Sequence, residues 1–295
     1  MADLPNIHLK TQLSKINVAF FTGLHLAACL AFLPQFFSWS AVGVMFLLYW
    51  MTASLGICLG FHRYLTHRSF ELPKYVGYFF ALCGTLACQN GPTKWVAQHR
   101  MHHANSDQPM DPHSMQYGFF WAHFQWMIYK NHYDDPQKIY AHSKDLQGDP
   151  FIKFLDNNFL KLQGVLALIL FAIGGWSFVI WGIFVRLVVA YHSTWFVNSA
   201  AHTFGYRNVK LENDLSTNCW WVGLIAWGEG WHNNHHAFPS SARHGLRPWE
   251  IDFTWMAIWV LKTLGLAKNI KVAELRRDEE QDEKFFLGEI VKKAA

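Results

Sequence analysis

Residues 39–67 read WSAVGVMFLLYWMTASLGICLGFHRYLTH. Trp39 to Phe61 contains no charged residue, His62 follows at once, and His67 stands five positions further on. A run of about 20 apolar residues is long enough to cross the hydrocarbon core of a bilayer as a helix. This stretch therefore predicts a transmembrane helix that delivers histidines to the membrane edge. Three other runs have the same character: 16–34, about 160–174 and about 176–197. The links at 35–38 and 174–175 are too short for anything but tight reversals, so the four runs form two helical hairpins. The expectation is an all-α membrane protein, one domain over 1–295. Its four transmembrane helices carry a helical cap built from 62–159 and 201–295.

Composition agrees. Hydrophobic residues make up 52% of the chain and charged residues 16%, against roughly 25% charged in a soluble domain. The 15 Trp and 25 Phe gather where apolar runs meet polar ones, as in interfacial aromatic belts. A mean hydropathy of only +0.04 requires a sizeable part outside the lipid. The net charge of +4 is small, and no basic run interleaved with aromatics points to nucleic acid. Cys29, Cys58, Cys83, Cys88 and Cys219 form no CxxC pair and read as buried free thiols.

The hairpin tips carry no Lys or Arg, whereas Lys10, Lys15, Arg63, Arg68, Lys74, Lys94, Arg100 and the C-terminal segment share the other side. By the positive-inside rule that side, with both termini, is cytoplasmic. Glu274–Ala295 mixes acidic and basic residues and is expected to be a solvated helix. Arg186 lies inside the fourth run, about 18 Å along the helix from Asn198, where snorkelling to the far interface is expected, with a pairing role within the bundle as the alternative.

Of 17 histidines, nine fall into a pattern: His62 and His67 in HRYLTH, His99, His102 and His103 in HRMHH, His202 in NSAAH, and His232, His235 and His236 in HNNHH. At this histidine frequency HxxHH arises by chance roughly 0.06 times per chain, and this chain holds two copies. On a helix, positions i, i+3 and i+4 share a face, so each HxxHH presents three imidazoles towards one point. A five-residue spacing turns through roughly 140° on an α-helix. His62 and His67 must therefore flank the cluster, or the helix must loosen between them. Asn198 and His202 again stand at i, i+4. Without a metal these imidazoles would repel when protonated and lack partners when neutral. Nine nitrogen ligands suit two ions, and imidazole accepts Zn, Cu, Fe or Ni. His8, His25, His123, His132, His142 and His192 read as hydrogen-bonded interfacial residues. All nine ligands must lie on one side of the membrane. The short apolar run 75–88 therefore cannot cross, and is expected as an interfacial helix.

The three histidine boxes, with NSAAH before the third, resemble the membrane fatty-acyl desaturase family on its Δ9 acyl-CoA and acyl-lipid branch. So do SDQPMDPH (106–113), GFFWAHFQWM (118–127), TWFVNSAAHTFG (194–205) and GEGWHNNHHAFPSSARHGL (228–246). The last is closest to bacterial members. The resemblance covers about residues 40–270. It implies that His62, His67, His99, His102, His103, His202, His232, His235 and His236 bind two iron ions, with Asn198 approaching through water. Asp107 and Asp111 are implied as carboxylates that orient imidazoles. The implied reaction uses O2 and two electrons to take two hydrogens from adjacent methylenes of an acyl chain on lipid, CoA or acyl carrier protein. No HPGG-like haem motif is present, so electrons are expected from a separate donor such as ferredoxin or a cytochrome b5-like protein. Hydroxylation or acetylene formation at the same centre stays open, and a metal-binding transporter is the non-enzymatic rival. Zinc is expected to replace iron in overproduced protein. Trp50, with Ser54 one turn nearer the metals, is expected to close the acyl tunnel.

Overall fold

The structure, a computed structural model, describes residues 12–130, 132–277 and 283–290; His8 and Lys10 lie outside them. Three helical stretches among these residues are long and apolar enough to cross a membrane: Lys15–Phe32, Trp39–Thr66 and Pro150–His202. The first begins with α1 (Lys15–Cys29), where the Ser14 side chain accepts from the Asn17 amide. The second begins with α2 (Trp39–Tyr49), capped by Ser38. The third opens on α6 (Pro150–Val179), where Asp149 accepts from the amides of Phe151 and Ile152 and the first helical position suits the Pro150 ring. Its helical geometry breaks at Gly174 and Gly175, the latter at φ 63, a left-handed value that favours glycine. The break coincides with the reversal expected there. After it come a π-helical turn, Ile180–Val185, and α7 (Arg186–Ser199).

The second stretch continues past Phe61 to Thr66 and changes winding as it goes. From Trp50 to Thr66 it is π-helical, with five-residue hydrogen bonds instead of four. The widening accompanies close packing by α3 (Lys74–Thr85). A Cβ on Gly56 would overlap the Cys83 carbonyl and the Gly84 nitrogen, and one on Gly60 would lie 2.8 Å from the Phe80 carbonyl oxygen. Only glycine lets the two backbones meet. At twelve residues, α3 packs along the second stretch and is too short to span a bilayer.

The polar segments supply α4 (Pro92–Ala104), α5 (Pro136–His142), α8 (Trp220–Ile225), α9 (His232–Ala237) and α10 (Phe253–Thr263). Three expectations need correction. Within Glu274–Ala295 the described residues are not helical, residues 278–282 and 291–295 lying outside the description: Ile270–Arg277 and Glu283–Ile290 pair as an antiparallel hairpin, so the fold is mostly helical and not all-α. Ile270, Val272 and Ala273 are buried and Lys271 is partly buried. Arg186 does not snorkel, being fully buried in the bundle. Cys29 is exposed, while the other four free thiols are buried.

Candidate metal centre

The π-helix resolves the five-residue spacing of the first box. The His67 amide donates to the His62 carbonyl at 3.1 Å, one turn of a five-residue helix. The two rings therefore share one face, 4.8 Å apart. On α4, His99, His102 and His103 project together, and this helix starts with proline, where no amide partner is needed. His202 ends the 3-10 turn that follows α7. His232, His235 and His236 occupy the six residues of α9.

The structure brings all nine together in two groups, with His67, His99 and His103 of the first only partly buried. His62, His67, His99, His103 and His235 form one; His102, His202, His232 and His236 form the other. Adjacent histidines on α4 thus diverge, with His103 in the first group and His102 in the second. Within the first group the Nε2 atoms face one another: His62–His235 3.0 Å, His67–His99 3.2 Å, His99–His103 3.0 Å and His103–His235 2.9 Å. In the second, His236 Nε2 lies 3.0 Å from His232 Nε2 and 3.3 Å from His102 Nε2. Nitrogens about 2.1 Å from a shared ion at right angles sit roughly 3 Å apart, the spacing found.

Carboxylates behind the rings fix which nitrogen is bare. His102 Nδ1 lies 2.9 Å from Asp111, His202 Nδ1 2.8 Å from Asp107, and His236 Nδ1 2.7 Å from Asp214. His62 Nδ1 is 2.7 Å from Glu229. A ring that donates from Nδ1 to a carboxylate turns its Nε2 lone pair inward. His102 and His236 then oppose two lone pairs at 3.3 Å, an arrangement that a shared cation stabilises. Among the described residues, buried His202 Nε2 has no hydrogen-bond partner. The donor set therefore fits two metal ions, one with five imidazoles and one with four.

Charge is arranged to suit. Burial, then neighbouring imidazoles, push His99, His103, His232 and His235 well below the ordinary histidine value, so they are neutral, as metal binding requires. Burial opposes the Asp111 charge, but His102 and His113 outweigh it and hold the carboxyl well down. Asp214 is held down in the same way by His236. Glu229 stays ionised although buried, because Arg63, His62 and His244 surround it. Arg63 bridges it to Asp252, at 2.9 Å from each.

Asp107 and Asp111 both come from the turn after α4. There Asp107 takes a left-handed φ of 55 and its amide donates to Asp111, so the segment is a tight turn and an imidazole support at once. Sequence reasoning missed Glu229, Asp214, His244, Arg63 and His113. Glu229 is three residues before His232, within the third histidine box's own stretch, and a lone Glu between glycines carries no spacing signal. Buried His113 lies 3.7 Å from Asp111 and is pushed down to about 3 by burial and by His102.

A cavity of about 400 Å³ reaches the centre at His99 and Asn198. Trp50 is 41% exposed on the outside of the bundle, and neither it nor Ser54 borders this cavity. Cys88, Tyr191, Trp195 and Phe21 are among the residues that border it. His25, His192 and His123 form a separate hydrogen-bonded row ending on Ser199. His142 bonds the Lys138 carbonyl at 2.9 Å.

Two histidine clusters able to hold metal, at the ends of helices long and apolar enough to cross a membrane, are the features of one class of membrane protein. Within that class, residues 37–257 match the fatty acid desaturase family model. The chain is 54% identical to the sn-1 stearoyl-lipid 9-desaturase of Anabaena variabilis over 270 residues, 91% of this chain and 97% of that one. It is 58% identical to the enzyme of the same name from Synechocystis sp. over 257 residues, 86% of this chain and 79% of that one. It is 49% identical to the sn-2 palmitoyl-lipid 9-desaturase of Nostoc sp. over 261 residues, 88% of this chain and 90% of that one. The chain belongs to the fatty acid desaturase family and is an oxidoreductase.

Proposed function

We propose that this desaturase introduces a double bond at the Δ9 position of an acyl chain esterified to a membrane glycerolipid. The single observation that carries the chemistry is the convergence of Nε2 atoms into a group of five and a group of four. Imidazole is compatible with iron, and two bound irons, with O2 and two electrons from a separate donor, supply the oxidising power to remove two methylene hydrogens as water forms. The protein's own residues hold and orient. Asp107, Asp111, Asp214 and Glu229 keep the rings in one tautomer, and burial keeps the site dry.

The relatives' names support both the position and the lipid carrier. So does the cavity's outer rim. Ile16 and Phe20, on the first membrane stretch, and Leu160, on the third, line it while being exposed on the surface of the bundle. An acyl chain already in the bilayer reaches the histidines between those helices. We infer four crossings, with the break at Gly174 and Gly175 as the second reversal, and both ends of the chain and the centre on the cytoplasmic side. The basic residues on that side support this orientation.

The test is expression in a host that makes only saturated acyl chains. Double bonds are then located by mass spectrometry in each lipid class and in the thioester pools. Δ9 products on glycerolipid are expected; a hydroxylated chain without a double bond would replace the reading with hydroxylation.

A further inference from the structure

Arg186 is buried within the bundle, and among the described residues no carboxylate bonds it. Its guanidinium instead donates to neutral acceptors from several elements. Nε bonds the Gly182 carbonyl at 2.7 Å in the preceding turn, and NH2 bonds Gln163 Oε1 at 3.0 Å on α6. NH1 bonds Thr52 Oγ1 at 3.1 Å and the Leu86 carbonyl at 2.7 Å. Gln163 donates its amide to the same Leu86 carbonyl.

Leu86 is the residue that ends α3. The last carbonyls of a helix lack intrahelical donors and carry partial negative charge, which favours a cation there. Arg186 therefore caps α3 from the side, and this explains how the bundle tolerates the charge.

Beyond Leu86 the chain makes a tight turn, with Cys88 at φ 58 and Asn90 at φ 74. Left-handed backbone strains a non-glycine residue and persists only where surroundings over-determine it. Besides Arg186 and Gln163 at Leu86, Tyr191 OH bonds the Cys88 carbonyl at 2.6 Å, and Gln89 donates to Thr194 at 2.9 Å. Cys88, Gln89 and Asn90 all line the cavity that reaches His99.

We propose that Arg186 is a positioning residue for the acyl chain. Through Leu86 it fixes the strained turn that forms one wall of the cavity, and so determines which methylenes rest beneath the histidines. The proposal rests on the desaturase reading of that cavity. Sliding a chain by one methylene in an intact apolar pocket costs roughly 10–200-fold in discrimination. A loosened wall surrenders much of that.

The experiment expresses Arg186→Gln, Gln163→Leu and Tyr191→Phe beside the unaltered protein in a host with only saturated chains. It reads double-bond position and metal content per chain. Each variant removes a different donor to the turn, so Gln163→Leu and Tyr191→Phe decide the matter even where Arg186→Gln fails to accumulate. The expected result is a roughly tenfold rise in minor positional isomers at unchanged metal content, largest for Arg186→Gln. Less product with the double bond still at one position, in every variant that accumulates, overturns the proposal. No double bond in any chain from the unaltered protein overturns the desaturase reading, and the proposal with it.

Discussion

Asp214 shows what a single carboxylate does in this site. It lies 2.7 Å from His236 Nδ1 and accepts from the Ser216 amide at 2.8 Å, so it holds one imidazole's tautomer and direction. Losing such a partner typically costs 10–100-fold in metal affinity or activity. Asp214→Asn, in which the amide can present its nitrogen to the ring, should lower bound metal or turnover by about that factor; a variant with full metal and full activity would refute the role. The buried imidazoles set the pH behaviour. His99, His103, His232 and His235 remain neutral in the fold, while unfolded histidines protonate below about 6.5. The unfolded state then binds more protons, so stability is present above that value and is lost as pH falls through it. The melting temperature in detergent should hold between about pH 8 and 7 and drop below about 6.5; a rise on acidification would contradict the buried-neutral assignment.

At the scale of elements, the second membrane stretch and α3 are locked by glycine. Placing a methyl at Gly56 drives it into the Cys83 carbonyl, and overpacking of this kind costs about 1–3 kcal/mol. Gly56→Ala should therefore lower the melting temperature by several degrees and disturb the π-winding that aligns His62 with His67. An unchanged melting temperature and unchanged metal content would deny the contact. The histidine boxes are legible in the sequence because two HxxHH copies are improbable and helical geometry explains them. His62 and His67 are legible only as a puzzle, since the widening to π-helix that aligns them accompanies α3 packing that local spacing does not encode. The C-terminal hairpin escapes a reading that weighs charge mixing alone. Asp214 is out of reach, 22 residues from the His236 it supports. A helix position gives Trp50's depth but not which side of the helix it occupies.

For the whole molecule, the membrane-crossing stretches act as a scaffold whose ends bring distant sequence segments to one point. The cavity and the carboxylates behind the imidazoles come together only once that assembly is made. Its dependence on iron is the central claim, because imidazoles also accept zinc, which the affinity order favours over Fe²⁺. The most direct test purifies the protein with graded iron and zinc loading and returns it to lipid vesicles with O2 and a reductant-coupled electron donor. Metal per chain is measured alongside double bonds formed. Activity should rise with iron to a maximum near two per chain, while zinc-filled protein stays folded and inactive. Full activity in zinc-only protein would contradict the account.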